Sequence, residues 1–271
     1  MSFETRGAVA PDHPTMSYPG SVLRFRAPGG DPTRAHVLCL GGTETFGRFV
    51  AEPYPSGLAD RLRTPVINMG VAGGGLDVVL NDPAIADACR AATAIVLQVQ
   101  GAQNLSNRLY TVHPRRNDRF VSASAMLRTI YRDVDFTEFH FTRHMLDHLR
   151  TLSPDRFAIV RHELRLAWLA RMKRFLSDMP VPVHLLWLSC RVPRPEDPLD
   201  DLGAEPLFIT SDMLEEAAEQ AASLSVVAVP NRPERPMAAS MAAEAAAARI
   251  LPGPDAHAEA AVALARVLEG P

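Results

Sequence analysis

Five apolar runs set the tightest limit on what this chain can become: residues 36–40 (HVLCL), 65–69 (PVINM), 94–99 (AIVLQV), 182–188 (PVHLLWL) and 224–229 (LSVVAV). A strand with one wet face alternates apolar and polar side chains. These runs do not, so both faces must be covered, as in a parallel sheet under two layers of helix. The segments between them read as helices: PSGLADRLR, DPAIADACRAA with Asp82 placed to cap and Pro83 at the first helical position, SDMLEEAAEQAA, and DAHAEAAVALARVLEG near the end. The expectation is a three-layer α/β/α fold with a flavodoxin-like, five-stranded parallel sheet. Ligands of such sheets bind outside the carboxyl ends of the strands, so the loops after the strands are where function is sought.

Residues 100–181 separate the third run from the fourth, where one crossover helix would suffice. Phe141, Met145, Leu149 and Leu152 recur at near-helical spacing, and residues 157–179 form a second amphipathic stretch. This predicts a helical insertion over about 118–180, a lid or a surface through which copies of the chain associate. Residues 1–34, rich in Pro, Gly and polar groups, read as an N-terminal arm with one short strand in SVLRFRA, and 35–271 as the α/β domain. The Ala-rich stretch 237–250 is a good helix former.

Composition narrows the function classes. A hydrophobic share of 47% with 22% charged residues is the ordinary globular balance, and a formal charge of −3 gives no global attraction to nucleic acid or to an anionic membrane. Neither is expected as a partner. Lys173 is the only lysine among 28 basic residues, which reads as the codon bias of a GC-rich genome. Cys39, Cys89 and Cys190 are scattered and make neither a disulfide framework nor a metal pattern. The first 20 residues hold no apolar signal core, and no run approaches the ~18 residues of a membrane span, so the expected location is cytoplasmic.

The loops after the strands read GGTETFG (41–47), NMGVAGGG (68–75) and GAQNLSN (101–107), with PDAH (254–257) before the last helix. In this order they resemble the SGNH, or GDSL-like, hydrolase superfamily, with its G-D-S-x-x-x-G, its glycine after N-x-G, its G-x-N-D and its late D-x-x-H. Under that resemblance Gly41 and Gly47 match the first block, Gly42 replaces the aspartate, and Thr43 stands at the serine. Gly73 matches the oxyanion glycine, Gln103 the asparagine and Asn104 the aspartate. Asp255 and His257 are one residue too close for D-x-x-H. The longer string GAQNLSNRLYTVHPRRNDRF is similar to the signature of a domain-of-unknown-function family from alphaproteobacteria.

What the resemblance implies is ester or acyl chemistry. It needs a hydroxyl, a base to activate it, and donors aimed at the developing oxyanion. Thr43 offers the hydroxyl, with a methyl that crowds attack. The N–H groups of Thr43 and Gly73 with the Gln103 or Asn104 amide offer donors, and His257 or His113 the base. Glu44 and Asp77 read as solvated loop acids, with contact to a substrate hydroxyl as the alternative. Asn107, Arg108, His113, Arg115, Arg116, Asn117 and Arg119 crowd one short segment, which suits bidentate anion binding. The alternative is a solvated loop whose arginines pair with Asp118 and other acids. Gly73–Gly75 could cradle phosphate but lack the P-loop lysine. His140, His144 and His148 read as a helix face beside the apolar stripe rather than a metal site. Trp168 and Trp187 read as core residues.

No metal or cofactor is expected. The expectation is a hydrolase or acyl/ester transferase acting on a small anionic or carbohydrate-like substrate. The alternative is a catalytically inactive SGNH-fold protein that binds an anionic ligand or a protein partner.

Overall fold

Each of the five apolar runs becomes a strand of one parallel sheet. The computed structural model describes residues 13–196, 202–230 and 251–270; the Ala-rich stretch 237–250 lies outside them. Two short strands of the arm, β1 (Thr15–Met16) and β2 (Phe25–Arg26), pair antiparallel. Then follow β3 (His36–Gly41), α1 (Thr43–Phe46), α2 (Tyr54–Ala59), β4 (Val66–Gly70), α3 (Leu76–Asn81), α4 (Pro83–Ala91) and β5 (Ala92–Gln98). After a long connection come β8 (Val183–Ser189), α8 (Ser211–Ala218), β9 (Ser223–Ala228) and α9 (Pro254–Glu269). The sheet order is β4-β3-β5-β8-β9, all parallel. In run order this is 2-1-3-4-5, the flavodoxin-like doubly wound arrangement, with its switch point between β3 and β5.

Burial of both faces explains why the runs are apolar at successive positions. Leu38, Leu40, Ile95, Leu97, Leu185 and Trp187 point into one core, and Val37, Cys39, Val96, Leu186 and Leu188 into another. The first core is closed by α3, α4, α8 and the long helix α7 (Pro154–Asp178), the second by α2 and α9. Asp82 caps α4 as expected, accepting from the N–H groups of Ala84 and Ile85 at 3.0 and 3.1 Å. Tyr18, Leu23 and Phe25 of the arm belong to the first core.

The connection from β5 to β8 differs from the expected helical insertion. It opens with an antiparallel hairpin, β6 (Tyr110–His113) and β7 (Arg116–Ala123), so the expected boundary at 118 falls inside a strand. Next come α5 (Ala125–Ile130), a 3-10 turn at Phe136–Glu138, α6 (Thr142–Leu152) and α7 (Pro154–Asp178). Only the middle of the expected α6 stripe is buried: Met145, Leu146 and Leu149 are covered, while Phe141 and Leu152 at its ends are exposed. The 25-residue α7 lies on the sheet itself through Trp168, Met172 and Phe175. The crossover helix was thus hidden inside what read as an insertion. Among the described residues no helix is long and apolar enough to cross a membrane.

Candidate functional site

The switch point is built on Gln98, the last residue of β5. Its Oε1 accepts from the Gly42 N–H and the Thr45 hydroxyl, both at 2.9 Å, and its Nε2 donates to Glu44 Oε2 at 3.0 Å. One buried amide therefore fixes the whole turn that carries Thr43. Asn68 on β4 supports the same turn, donating to the Thr45 carbonyl at 2.8 Å and accepting from the Gly70 N–H at 2.9 Å. Arg26 of the arm reaches across to the carbonyls of Gly47 and Ala51, both at 2.6 Å.

Thr43 is half-buried, and its Oγ1 accepts from the Gly73 N–H at 3.0 Å. The structure thus brings these two predicted residues together. Gly73 sits at φ 71°, the left-handed region that favours glycine, and a Cβ there would stand 2.7 Å from Arg116 Nε. Its carbonyl accepts from the Asp118 N–H, which joins the Thr43 turn to the β6–β7 hairpin.

Glu44 is no solvated loop acid. It is 8% exposed, and burial, reinforced by the charge of Glu205, pushes its carboxyl up to about 7. Its Oε2 lies 3.3 Å from where a Cβ on Gly42 would be. The Glu44 carboxylate therefore packs against the Gly42 backbone. Asp77 is also buried: it accepts from the Ser106 N–H at 2.6 Å and pairs with Arg171 at 3.0 Å, so it braces the β5 loop.

The two histidines do not join Thr43. His257 is buried in α9 under the second core, where its Nδ1 accepts from the Tyr54 N–H at 3.1 Å. Burial, with Arg26 nearby, lowers its pKa to about 4, so the ring is neutral. His113 stands on the hairpin, its Nδ1 accepting from the Arg115 N–H at 3.2 Å. Among the described residues neither is hydrogen-bonded to the Thr43 hydroxyl.

Of the predicted amide donors, Gln103 is committed elsewhere, and Asn104 is held through its oxygen. Gln103 Nε2 donates to both oxygens of Glu205, at 2.8 and 2.9 Å, and Asn104 Oδ1 accepts from the Thr142 hydroxyl at 2.8 Å. The arginine segment is largely spent internally. Arg108 holds Glu163 in a two-pronged pair, Arg116 pairs with Asp118 at 2.9 Å, and Arg119 lies 5.1 Å from the centre of the Phe141 ring. Asn107 closes an Asx turn on the N–H groups of Leu109 and Tyr110, and Asn117 accepts from those of Gly75 and Val78. Arg115 remains exposed at the hairpin turn. His144 and His148 pack on the Phe139 ring at 5.1 and 5.3 Å. No cluster of three or more potential metal-binding side chains occurs among the described residues.

Glu205, unmarked in the sequence, is the most connected acid at this edge. Beyond Gln103 it accepts from the Leu207 N–H at 3.1 Å and faces Arg143 at 3.5 Å. With Gln103, Arg143, Asp118 and Phe141 it bounds a cavity of about 820 Å³.

Sheet order and strand-end site together define a doubly wound α/β protein of flavodoxin-like topology with its polar groups gathered at the switch point. The chain belongs to the family described as Domain of unknown function (DUF6473), which matches residues 1–270. No curated protein matches it. Among solved structures it is similar to the lipase Lip_vut3 from goat rumen metagenome, at 15% identity and a TM-score of 0.42, over 86% of this chain and 96% of that one. A likeness at that score carries no functional argument.

Proposed function

We propose that this chain is a small-molecule-binding protein on an SGNH-like scaffold that does not assemble a histidine-dependent hydrolytic set. The arrangement around Thr43 carries the reading. A serine-type nucleophile needs an adjacent base to take its proton, and that base needs a third group to orient it. The Thr43 hydroxyl receives the Gly73 N–H, while His257 and His113 each receive a backbone N–H elsewhere. Of the amides that the resemblance assigned to an oxyanion hole, Gln103 donates to Glu205, and Asn104 is held through its oxygen by the Thr142 hydroxyl.

One observation favours the second reading, a hydrolase or acyl/ester transferase. The Gly73 N–H is a backbone donor of the kind an oxyanion hole uses and lies at the Thr43 hydroxyl, and Glu44 in the same turn titrates near neutrality. Turnover of p-nitrophenyl acetate and acetylated sugars by wild type and Thr43→Ala separates the two. Silence from both is the expected result. Turnover that disappears in Thr43→Ala, with its circular dichroism unchanged, would replace the binding reading with the hydrolytic one.

A further inference from the structure

We infer that the cavity between Gln103, Asp118, Phe141, Arg143 and Glu205 is a binding site for a neutral polyhydroxylated ligand, a sugar or polyol; the inference names the ligand class for the binding reading above and rests on it. The size is suitable, since about 820 Å³ lies within the ~300–1,000 Å³ of small-molecule sites.

Charge is the first argument. Three acids line the cavity, Asp118, Asp147 and Glu205, and each already has its own arginine: Arg116 at 2.9 Å, Arg150 at 2.9 Å and Arg143 at 3.5 Å. Three negative and three positive groups cancel, so a ligand with net charge gains no attraction from this wall and must break an internal pair to make its own. A hydroxyl both donates and accepts. It can bridge a carboxylate and a guanidinium without separating them.

The second argument is a fixed acceptor. Gln103 Nε2 and the Leu207 N–H hold the Glu205 carboxylate in one orientation, and its side chain stays 25% exposed at the wall. An acceptor already held in place costs little to order when a ligand O–H meets it. The third is Phe141, whose ring remains 42% exposed on the cavity wall although Arg119 lies against it. An open aromatic face beside planar amides and carboxylates suits the C–H face of a sugar ring, with its hydroxyls turned to the polar rim.

An anion would use different parts: Arg143 and the first turn of α6, which has no side-chain cap. The test therefore sets the classes against each other on the full chain, by saturation-transfer NMR and calorimetry. The panel is glucose, N-acetylglucosamine, cellobiose and myo-inositol against phosphate, sulfate, acetate and spermidine. We expect binding from the neutral panel, weakened about tenfold or more by Glu205→Gln and by Phe141→Ala. Phe141 is exposed, so its variant keeps the fold if Glu205→Gln does not. Binding confined to phosphate, sulfate, acetate or spermidine overturns the ligand class while leaving the binding reading intact. No binding from any panel member at tens of millimolar overturns the inference. Thr43-dependent ester turnover overturns the binding reading alone.

Discussion

Glu44 and His257 hold opposite protonation anomalies, and their effects on stability should mask each other. Burial, with the charge of Glu205, raises the Glu44 carboxyl from 4.5 to about 7, and burial with Arg26 lowers His257 from 6.5 to about 4. Each gap spans about 2.5 pH units, and at about 1.4 kcal/mol per unit each is worth roughly 3 kcal/mol. Between pH 4.5 and 7 native Glu44 keeps a proton that the unfolded chain has released, so its contribution makes stability fall as pH rises. Between pH 4 and 6.5 the unfolded histidine holds a proton that native His257 lacks, so its contribution makes stability rise. Over the shared window the two slopes cancel.

Glu44→Gln keeps an acceptor for Gln98 and removes the titration. Its stability should gain on wild type as pH rises, by about 3 kcal/mol across pH 4.5 to 7. His257→Asn keeps an acceptor for the Tyr54 N–H and should lose ground to wild type by a similar amount across pH 4 to 6.5. Urea unfolding followed by the fluorescence of buried Trp168 and Trp187 measures both. His184, lowered by burial, adds a rise of the same sign as His257 but drops out of each difference from wild type. Glu163 and Asp133, lowered by Arg108 and Arg156, lose their contributions only as pH falls below the ordinary carboxylate range. A difference between Glu44→Gln and wild type that stays flat with pH would refute the reasoning.

Two further variants test the scaffold. Asp82→Ala removes the acceptor of the Ala84 and Ile85 N–H groups and of the Ser21 hydroxyl, and should cost about 1–2 kcal/mol in urea unfolding. Gly73→Ala combines φ 71° with a Cβ 2.7 Å from Arg116 and 2.8 Å from Asp118, and should cost about 1–3 kcal/mol; a neutral result would mean the hairpin yields easily.

The sheet was legible because burial on both faces leaves its mark residue by residue: all five runs became strands within one or two positions. The hairpin was not. β7 reads RNDRFVSA, and only Asn117, Phe120 and Ala123 are buried, every third residue rather than every second, and its ladder is broken by two register shifts. Arg108, ahead of the hairpin, finds its acid Glu163 on a distant helix, and Arg116 finds Asp118 two residues on. At the site, Thr43 and Gly73 could be found from their loops, and a signal for Gln98 was present as well, a lone amide in an otherwise apolar run. Glu205 left none. It acts at this edge only because the chain after β8 folds back over the β5 loop, where Gln103 and Arg143 meet it.

Arg26 gives the arm a meaning that a division at residue 35 would hide. A chain begun there would retain every parallel strand and every helix of the sheet, and would look complete by its far-ultraviolet spectrum. It would nevertheless lack the side chain that grips the Gly47 and Ala51 carbonyls, and Tyr18, Leu23 and Phe25 with it. The turn bearing Thr43 would then rest on Gln98 and Asn68 without Arg26. The arm is thus part of the scaffold under the site as much as the sheet is.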